Sequence, residues 1–356
     1  MKKILIGLFI TTLIIAASVA GFILYLQHFA ITPAHLPSKI SSTDEKPYEL
    51  LSQISKQEEY LITVNQGESL RNVAKKLEDA AIITNQHLFV MLARYKGDHR
   101  KIKTGEYEFL AQYTPEKILD MLVKGKVKLH KITIPEGLNM REVAAVVEKA
   151  GFGTSNNFIT VATDLNFIKS LGIEHIQADS LEGYLFPETY LFPAGTDQKK
   201  IISSMVERFN KVFINDWRDV SKKLGFSVHQ IVILASIIEK ETANSNERPL
   251  ISSVFHNRLK RGMRLESDPT VIYGIADFNG NITKKDLLAA TPYNTYAIDG
   301  LPAGPIANPG RLSLQAAVFP EKSEFIFFVS KNDTTHQFSN SLKAHNIAVR
   351  KYQLKR

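Results

Sequence analysis

The chain contains no cysteine. That excludes disulfides, a Cys-ligated zinc site and a thiol nucleophile. It has a single tryptophan and 9% aromatic residues. No basic run interleaved with stacking aromatics occurs, so nucleic acid is not an expected partner. The GxGxxG, Walker, HExxH and GxSxG patterns are missing too, which leaves nucleotide-binding, zincin and α/β-hydrolase readings without support. His229, His256, His336 and His345 lack ligand spacing, so no metal and no cofactor is expected.

Charge is absent from residues 4–26, ILIGLFITTLIIAASVAGFILYL, which follow Lys2 and Lys3. As a helix this run is about 34 Å long, enough to cross a bilayer core. The positive-inside rule keeps the N-terminus cytoplasmic and puts everything after Gln27 on the outer side. Ser18-Val19-Ala20 resembles a signal-peptide cleavage site. The apolar run continues to Leu26, longer than a signal core, and favours an uncleaved anchor.

The rest has an ordinary globular balance: 356 residues, 44% hydrophobic, 22% charged. That length suggests two or so domains. The net charge of +8 by itself suits nucleic acid, anionic lipid, an acidic polymer or simple solubility. The expected class is α+β: a single transmembrane helix (1–27), a linker (28–59), a small α/β subdomain (60–130) and a larger, mostly helical domain (131–356). Pro33, Pro37 and Pro47 mark the linker, which is expected to be partly helical near Tyr48–Ser55.

Residues 61–83 read as strand, turn and helix. Gly67 breaks the strand, and Ser69 can cap a helix with Leu70, Val73, Ala74 and Leu77 on its apolar face. Residues 85–95 add a second helix, and the alternation in Gly105-Glu106-Tyr107-Glu108-Phe109 predicts a returning strand. This stretch resembles the LysM module, which binds N-acetylglucosamine polymers; it reads equally as a small α/β subdomain that only packs on its neighbour. The pattern partly recurs 70 residues later: Gly67, Arg71, Val73 and Ala74 align with Gly137, Arg141, Val143 and Ala144. The ten Lys and Arg between 94 and 131 are offset by five acidic residues. They form either a solvated face or one that meets lipid headgroups or an anionic polymer.

Residues 180–197, SLEGYLFPETYLFPAGTD, set Glu182 and Glu188 beside Tyr184, Phe186, Tyr190 and Phe192. An ordered loop of that composition suits a sugar cleft, with Phe186 and Phe192 expected to pack inward. Helices are expected over 198–220, 246–261 and 339–352, a short one after Ser267, and a buried strand over 324–329.

The run VHQIVILASIIEKET, residues 228–242, is apolar on every side, as a buried core helix is. It ends in Glu239, Lys240 and Glu241, too short and too charged to span a membrane. At 100° per residue, positions 239 and 241 lie ~200° apart and cannot serve one bond together. Glu239 shares its face with Val232, Ala235 and Ser236, small enough to admit a ligand. Glu241 lies over Leu234, Ile237 and Ile238 and is expected to pair with a cation, with Arg248, Arg258 and Arg264 as candidates. Glu239 is therefore the expected catalytic residue. Glycoside cleavage ordinarily takes two carboxyls. One suffices if the C6 hydroxyl of N-acetylmuramic acid attacks C1 of its own ring. The carboxyl then first gives a proton to the leaving oxygen and afterwards takes the C6 proton.

ILASIIEKET (233–242) and SVFHNRLKRGMRLESDPTVIYGI (253–275) closely resemble the YceG-like family of endolytic murein transglycosylases. So do SLEGYLFPETYLFP (180–193), PYNTY (292–296), GLPAGPIANPG (300–310) and HQFSNSLKAHN (336–346). The resemblance covers about residues 50–352. It implies a membrane-anchored enzyme with a LysM-like subdomain and a YceG-like catalytic domain. Such an enzyme cuts within nascent peptidoglycan glycan strands and leaves anhydromuramoyl ends. It implies an inner-membrane protein with a periplasmic catalytic domain, working near peptidoglycan synthases. The family's catalytic Glu falls on Glu239. Asp268, Thr270 and Tyr273 match its D-P-T-V-x-Y motif, and Asn294, Thr295 and Tyr296 match N-T-Y. With Glu182, Tyr184 and Glu188 they form the expected substrate-binding set. Ala303, Thr334, Thr335 and Ala344 depart from the family pattern, away from Glu239 and Asp268.

Overall fold

The computed structural model describes residues 2–34, 59–173 and 179–354. Most of the expected linker, with its helix near Tyr48–Ser55, lies outside the described residues. The chain divides into two compact units, Met1–His130 and Lys131–Arg356.

In the first unit, helix α1 (Lys2–Ile31) runs past the expected end at Gln27. Residues 4–31 are long and apolar enough to cross a membrane. Its last turns differ from the rest: Leu26, Phe29 and Ala30 are buried in the unit's core, while Ile4, Leu5 and Phe9 are exposed. Strand β1 (Glu59–Val64) leads to α2 (Leu70–Asp79) and α3 (Gln86–Tyr95), and β2 (Gly105–Leu110) returns antiparallel to β1. Ser69 caps α2 by accepting the Asn72 N–H, and the expected face of Leu70, Val73, Ala74 and Leu77 is buried. Alternation in β2 turns Tyr107 and Phe109 inward, both fully buried. Helix α4 (Pro115–Lys124) follows, with Pro115 in its first turn and Gly125 left-handed at its end. The end of α1 packs on α3 and α4.

Strand β3 (Leu129–Thr133) runs across the boundary at Lys131, and α5 (Met140–Lys149), α6 (Ser155–Ala162) and α7 (Leu165–Ser170) follow in the second unit. Within the expected loop 180–197, Thr189–Pro193 forms β4, which pairs with β3. Phe186 and Phe192 are buried as expected. The expected helix 198–220 is two helices, α8 (Gln198–Val212) and α9 (Asn215–Lys223). The chain leaves helical geometry at Phe213 (φ −85°, ψ 76°), and Ile214 is extended. That break sets Trp217 edge-on to Phe213, with ring centroids 5.8 Å apart.

Helix α10 (Val228–Glu241) is the spine. Ser227 and Gln230 form a capping box at its start, and every residue from Ile231 to Ile238 is buried. Burial on all sides follows from its all-round apolar sequence; each enclosed Ile or Leu contributes roughly 1.5–3 kcal/mol. A 3₁₀ turn (Ser245–Glu247) precedes α11 (Arg248–Lys260), so the expected helix 246–261 is really a turn and a shorter helix. Then come α12 (Asp268–Tyr273), α13 (Lys284–Leu288) and α14 (Arg311–Val318). Helices α9, α11, α12 and α14 all pack on α10.

The C-terminal part corrects two expectations. Strand β5 (Phe327–Ser330) is half-buried, not buried, because it forms a two-stranded ribbon with β6 (His336–Ser339). The last helix, α15, runs over Leu342–Tyr352, capped by Ser341, because Ser339 belongs to β6.

Candidate active site

The last turn of α10 sends its two carboxylates to different neighbours, as the ~200° separation requires. The Glu239 side chain is 5% exposed. Arg248 Nη2, at the start of α11, donates to Glu239 Oε1 across 2.9 Å. The Gly310 N–H, where α14 begins, donates to Oε2 across 2.9 Å. Both oxygens are thus held by donors, one of them a charge at a helix start.

A third partner comes from the turn after β3. Glu136 Oε2 lies 3.6 Å from Arg248 Nη1, and Glu136 is 47% exposed where Arg248 is 7% exposed. Burial raises the Glu136 carboxyl above its ordinary range and the Glu239 charge raises it further, while Arg248 pulls it down. Arg248 Nε and Nη1 make no hydrogen bond among the described residues. One guanidinium therefore stands between two carboxylates, bonded to the buried one and within reach of the exposed one.

The loop 300–310 is stitched around this cluster. Lys240 Nζ donates to the Gly137 carbonyl across 3.1 Å. The Gly137 N–H donates to the Asn308 carbonyl, and the Asn308 N–H to the Leu138 carbonyl. Asn308 Nδ2 reaches Glu182 Oε1 at 3.1 Å, and its Oδ1 accepts the Leu185 N–H at 2.9 Å. Ser236 Oγ, on the Glu239 face of α10, accepts the Ile306 N–H at 3.0 Å. The small residues on that face thus receive a protein loop.

The expected binding residues divide by exposure. Asp268 is exposed, and its Oδ1 accepts the Tyr296 hydroxyl at 2.7 Å. Glu188 is held by Arg208 at 2.9 Å, with no contact to the Glu239 cluster among the hydrogen bonds and ion pairs of the described residues. Glu182 is buried and accepts from Met140 N–H, Asn308 and the Tyr273 hydroxyl. Burial pushes its carboxyl up to about 7, against the pull of the Met140 N–H and Tyr273. Tyr184 is fully buried, its hydroxyl 2.9 Å from His229 Nδ1. Thr270 and Thr295 are buried with hydroxyls 2.8 Å apart. Asn294 is buried and donates to the carbonyls of Asp286, Leu287 and Ala289 at the end of α13. Five of these nine residues, Glu182, Tyr184, Thr270, Asn294 and Thr295, thus hold the loops in place from inside.

The expectation that Glu241 pairs with a cation is not met: among the described residues it makes no ion pair. Arg248 is taken by Glu239, Arg258 by Glu266 and carbonyls, and Arg264 by Asp299. The Ser267 hydroxyl donates to Glu241 instead, which is why Ser267 does not cap α12. Burial pushes the Glu241 carboxyl up to about 7.

Sequence reasoning missed Glu136. A signal was present in the 70-residue recurrence. The residue before the turn glycine is Gln66 in the first copy and Glu136 in the second. A carboxylate stands where the companion turn has an amide.

The family model of the YceG-like family matches residues 62–351. The chain belongs to the YceG-like family. It is 32% identical over 318 residues to an endolytic murein transglycosylase of Bacillus subtilis, covering 85% of this chain and 88% of that protein. It is 28% identical over 297 residues to one of Streptococcus pneumoniae, covering 76% of this chain but 54% of the relative. The crystal structure of a YceG-like protein from Listeria monocytogenes aligns with a TM-score of 0.56 and 33% identity, over 82% of this chain and 99% of that one.

Proposed function

We propose that this chain is an endolytic lytic transglycosylase, a lyase that cuts the MurNAc–GlcNAc bond inside nascent peptidoglycan strands. The observation that carries this reading is Glu239, at the end of the core helix between Arg248 and the Gly310 N–H, in a chain of the YceG-like family. Glu239 acts as acid and then as base. It protonates the glycosidic oxygen as the bond to C1 of MurNAc breaks. The C6 hydroxyl of the same sugar closes on C1, and the Glu239 carboxylate takes its proton. One strand piece ends in 1,6-anhydroMurNAc and the other in a free GlcNAc 4-hydroxyl, with no water consumed.

Asp268 and Tyr296, linked and reachable from solvent, are the pair best placed to touch sugar. The chain is anchored by α1, with its N-terminus cytoplasmic and the catalytic unit outside. It acts beside peptidoglycan synthases and ends strand growth. The β1–α2–α3–β2 arrangement supports a LysM-like role for the first unit.

Glu239→Gln tests the assignment. The variant keeps an acceptor for Gly310 but has no proton to give, and release of anhydromuropeptides from uncrosslinked strands should fall by about 10²–10⁴-fold. Retained release would sink the reading. A lysozyme-type hydrolase is the second reading, favoured by one observation: Glu136 is a second carboxylate on the same arginine. Product mass decides, because hydrolysis leaves a muramoyl end one water heavier than the anhydro end.

A further inference from the structure

We propose that Glu136 is a positioning residue for the acid–base step: it shares Arg248 with Glu239 and so decides how firmly the guanidinium holds the Glu239 carboxylate. The inference rests on the reading of Glu239 as the acid–base group.

Three observations carry it. First, Arg248 is bonded through Nη2 to Glu239, while its buried Nη1 and Nε make no hydrogen bond among the described residues and Glu136 Oε2 stands 3.6 Å from Nη1. A displacement of about half an ångström completes that second hydrogen bond. Buried donors without partners are costly, so there is a standing pull on the Glu136 carboxylate. Second, two carboxylates around one guanidinium carry a net negative charge when all are ionised, and one proton relieves it. Glu239 is enclosed and Glu136 half-exposed, so Glu136 is the member that meets water.

Third, the contact is built at Gly310. Its φ of −75° and ψ of 173° suit any residue. Yet a Cβ there would stand 1.9 Å from Glu136 Oε1 and 2.1 Å from its Cδ. The glycine is required by the Glu136 carboxylate, which lies against the residue whose N–H holds Glu239.

The groups around Glu239 come from every side. Arg248 reaches it from α11, Glu136 lies in the turn after β3, and Gly310 opens α14. Lys240, next on α10, is turned to the Gly137 carbonyl, and Glu241 faces Ser267 and Asp268. When Glu136 is ionised and engages Nη1, the guanidinium charge is divided and the Glu239 carboxylate takes up a proton more readily. Without the Glu136 charge, Arg248 serves Glu239 alone and favours its ionised form. Activity that needs Glu239 protonated is then lost at lower pH.

The test is the pH dependence of kcat/KM on uncrosslinked glycan strands for the full chain and for Glu136→Gln, Gly310→Ala and Glu239→Gln. Glu136→Gln removes the charge. Gly310→Ala sets a Cβ against the Glu136 carboxyl group, whose atoms are the nearest to it, on a backbone that accepts alanine. Both variants should move the alkaline limb to lower pH by roughly 0.5–1 unit, with the acid-side plateau reduced less than tenfold. A merely structural role would lower the rate at every pH and leave the limb in place. Folded Glu136→Gln with an unshifted limb, beside an inactive Glu239→Gln, would overturn this inference and leave the proposed function standing. Should Glu136→Gln fail to fold, an unshifted limb in Gly310→Ala overturns it equally. An active Glu239→Gln would remove both. A product one water heavier would also overturn it, by making Glu136 a water-activating base.

Discussion

Gly183 and Pro305 approach so closely that a Cβ on the glycine would stand 2.7 Å from the proline ring, and 2.7 Å from Val232 Cγ1 on α10. The φ of Gly183 is +86°. Gly183→Ala adds left-handed strain and overpacking at one point, expected to cost about 2–5 kcal/mol. Denaturant midpoints would register it. Because Pro305 belongs to the loop that carries Gly310, activity should fall even at temperatures where the variant is folded.

Arg248→Met leaves Glu239 in its enclosed position without its cation. Removing one partner of a buried pair costs about 3–5 kcal/mol. Adding Glu239→Leu to that variant should restore much of the loss, since the unpaired charge goes too. Urea unfolding of the two single variants and the double closes the cycle. An additive double variant would mean that the pair is not coupled.

Glu182 ties stability to pH. Its carboxyl moves from the ordinary 4.5 up to about 7 in the folded chain. Between those values the native state binds the proton that the unfolded state has released. Its contribution is therefore fully present below pH 4.5 and is lost as pH rises to about 7. Glu182→Gln should lose that slope: relative to the parent it gains about 1–3 kcal/mol between pH 5 and pH 8. Unfolding curves at the two pH values measure the difference, and equal offsets would show that Glu182 does not titrate in this window.

The matched motifs should separate by phenotype. Asp268→Asn changes an exposed group and should alter stability by less than about 0.5 kcal/mol while reducing kcat/KM about tenfold or more. Thr270→Val takes away the acceptor of the Thr295 N–H and the hydroxyl partner of Thr295 Oγ1 and should cost about 1–3 kcal/mol. Thermal unfolding beside strand-cleavage rates sorts the two. An Asp268→Asn variant with unchanged rates would remove that side chain from the cleft.

Why was the position of Glu239 legible in the sequence and that of its surroundings not? Helical periodicity places residues on a helix with certainty, and the all-apolar run of α10 made both its burial and the divergence of Glu239 from Glu241 legible. Partners from distant segments leave no such trace. Glu136 and Gly310 are 103 and 71 positions from Glu239 along the chain, and nothing local says that they meet there. The polar motif residues have a related ambiguity, since a polar residue among aromatics reads the same whether it meets sugar or holds a loop. Glu182, Thr270 and Asn294 look like sugar ligands because they are polar and set among aromatics. Their hydrogen bonds are instead spent on neighbouring backbone and side chains, which loops buried at a site require. The break at Phe213 was hidden because α8 and α9 keep the same apolar spacing on both sides of it.

The last turn of α1 gives the anchor a mechanical character. With Leu26, Phe29 and Ala30 seated in the core of the first unit, the end of α1 is part of that unit and not a free leash. In a membrane-anchored chain, a tilt or rotation of α1 would turn the first unit with it. Trimming the chain through Ile31 would not merely free the unit from lipid. It would uncover the apolar residues of α3 and α4 that Leu26, Phe29 and Ala30 cover.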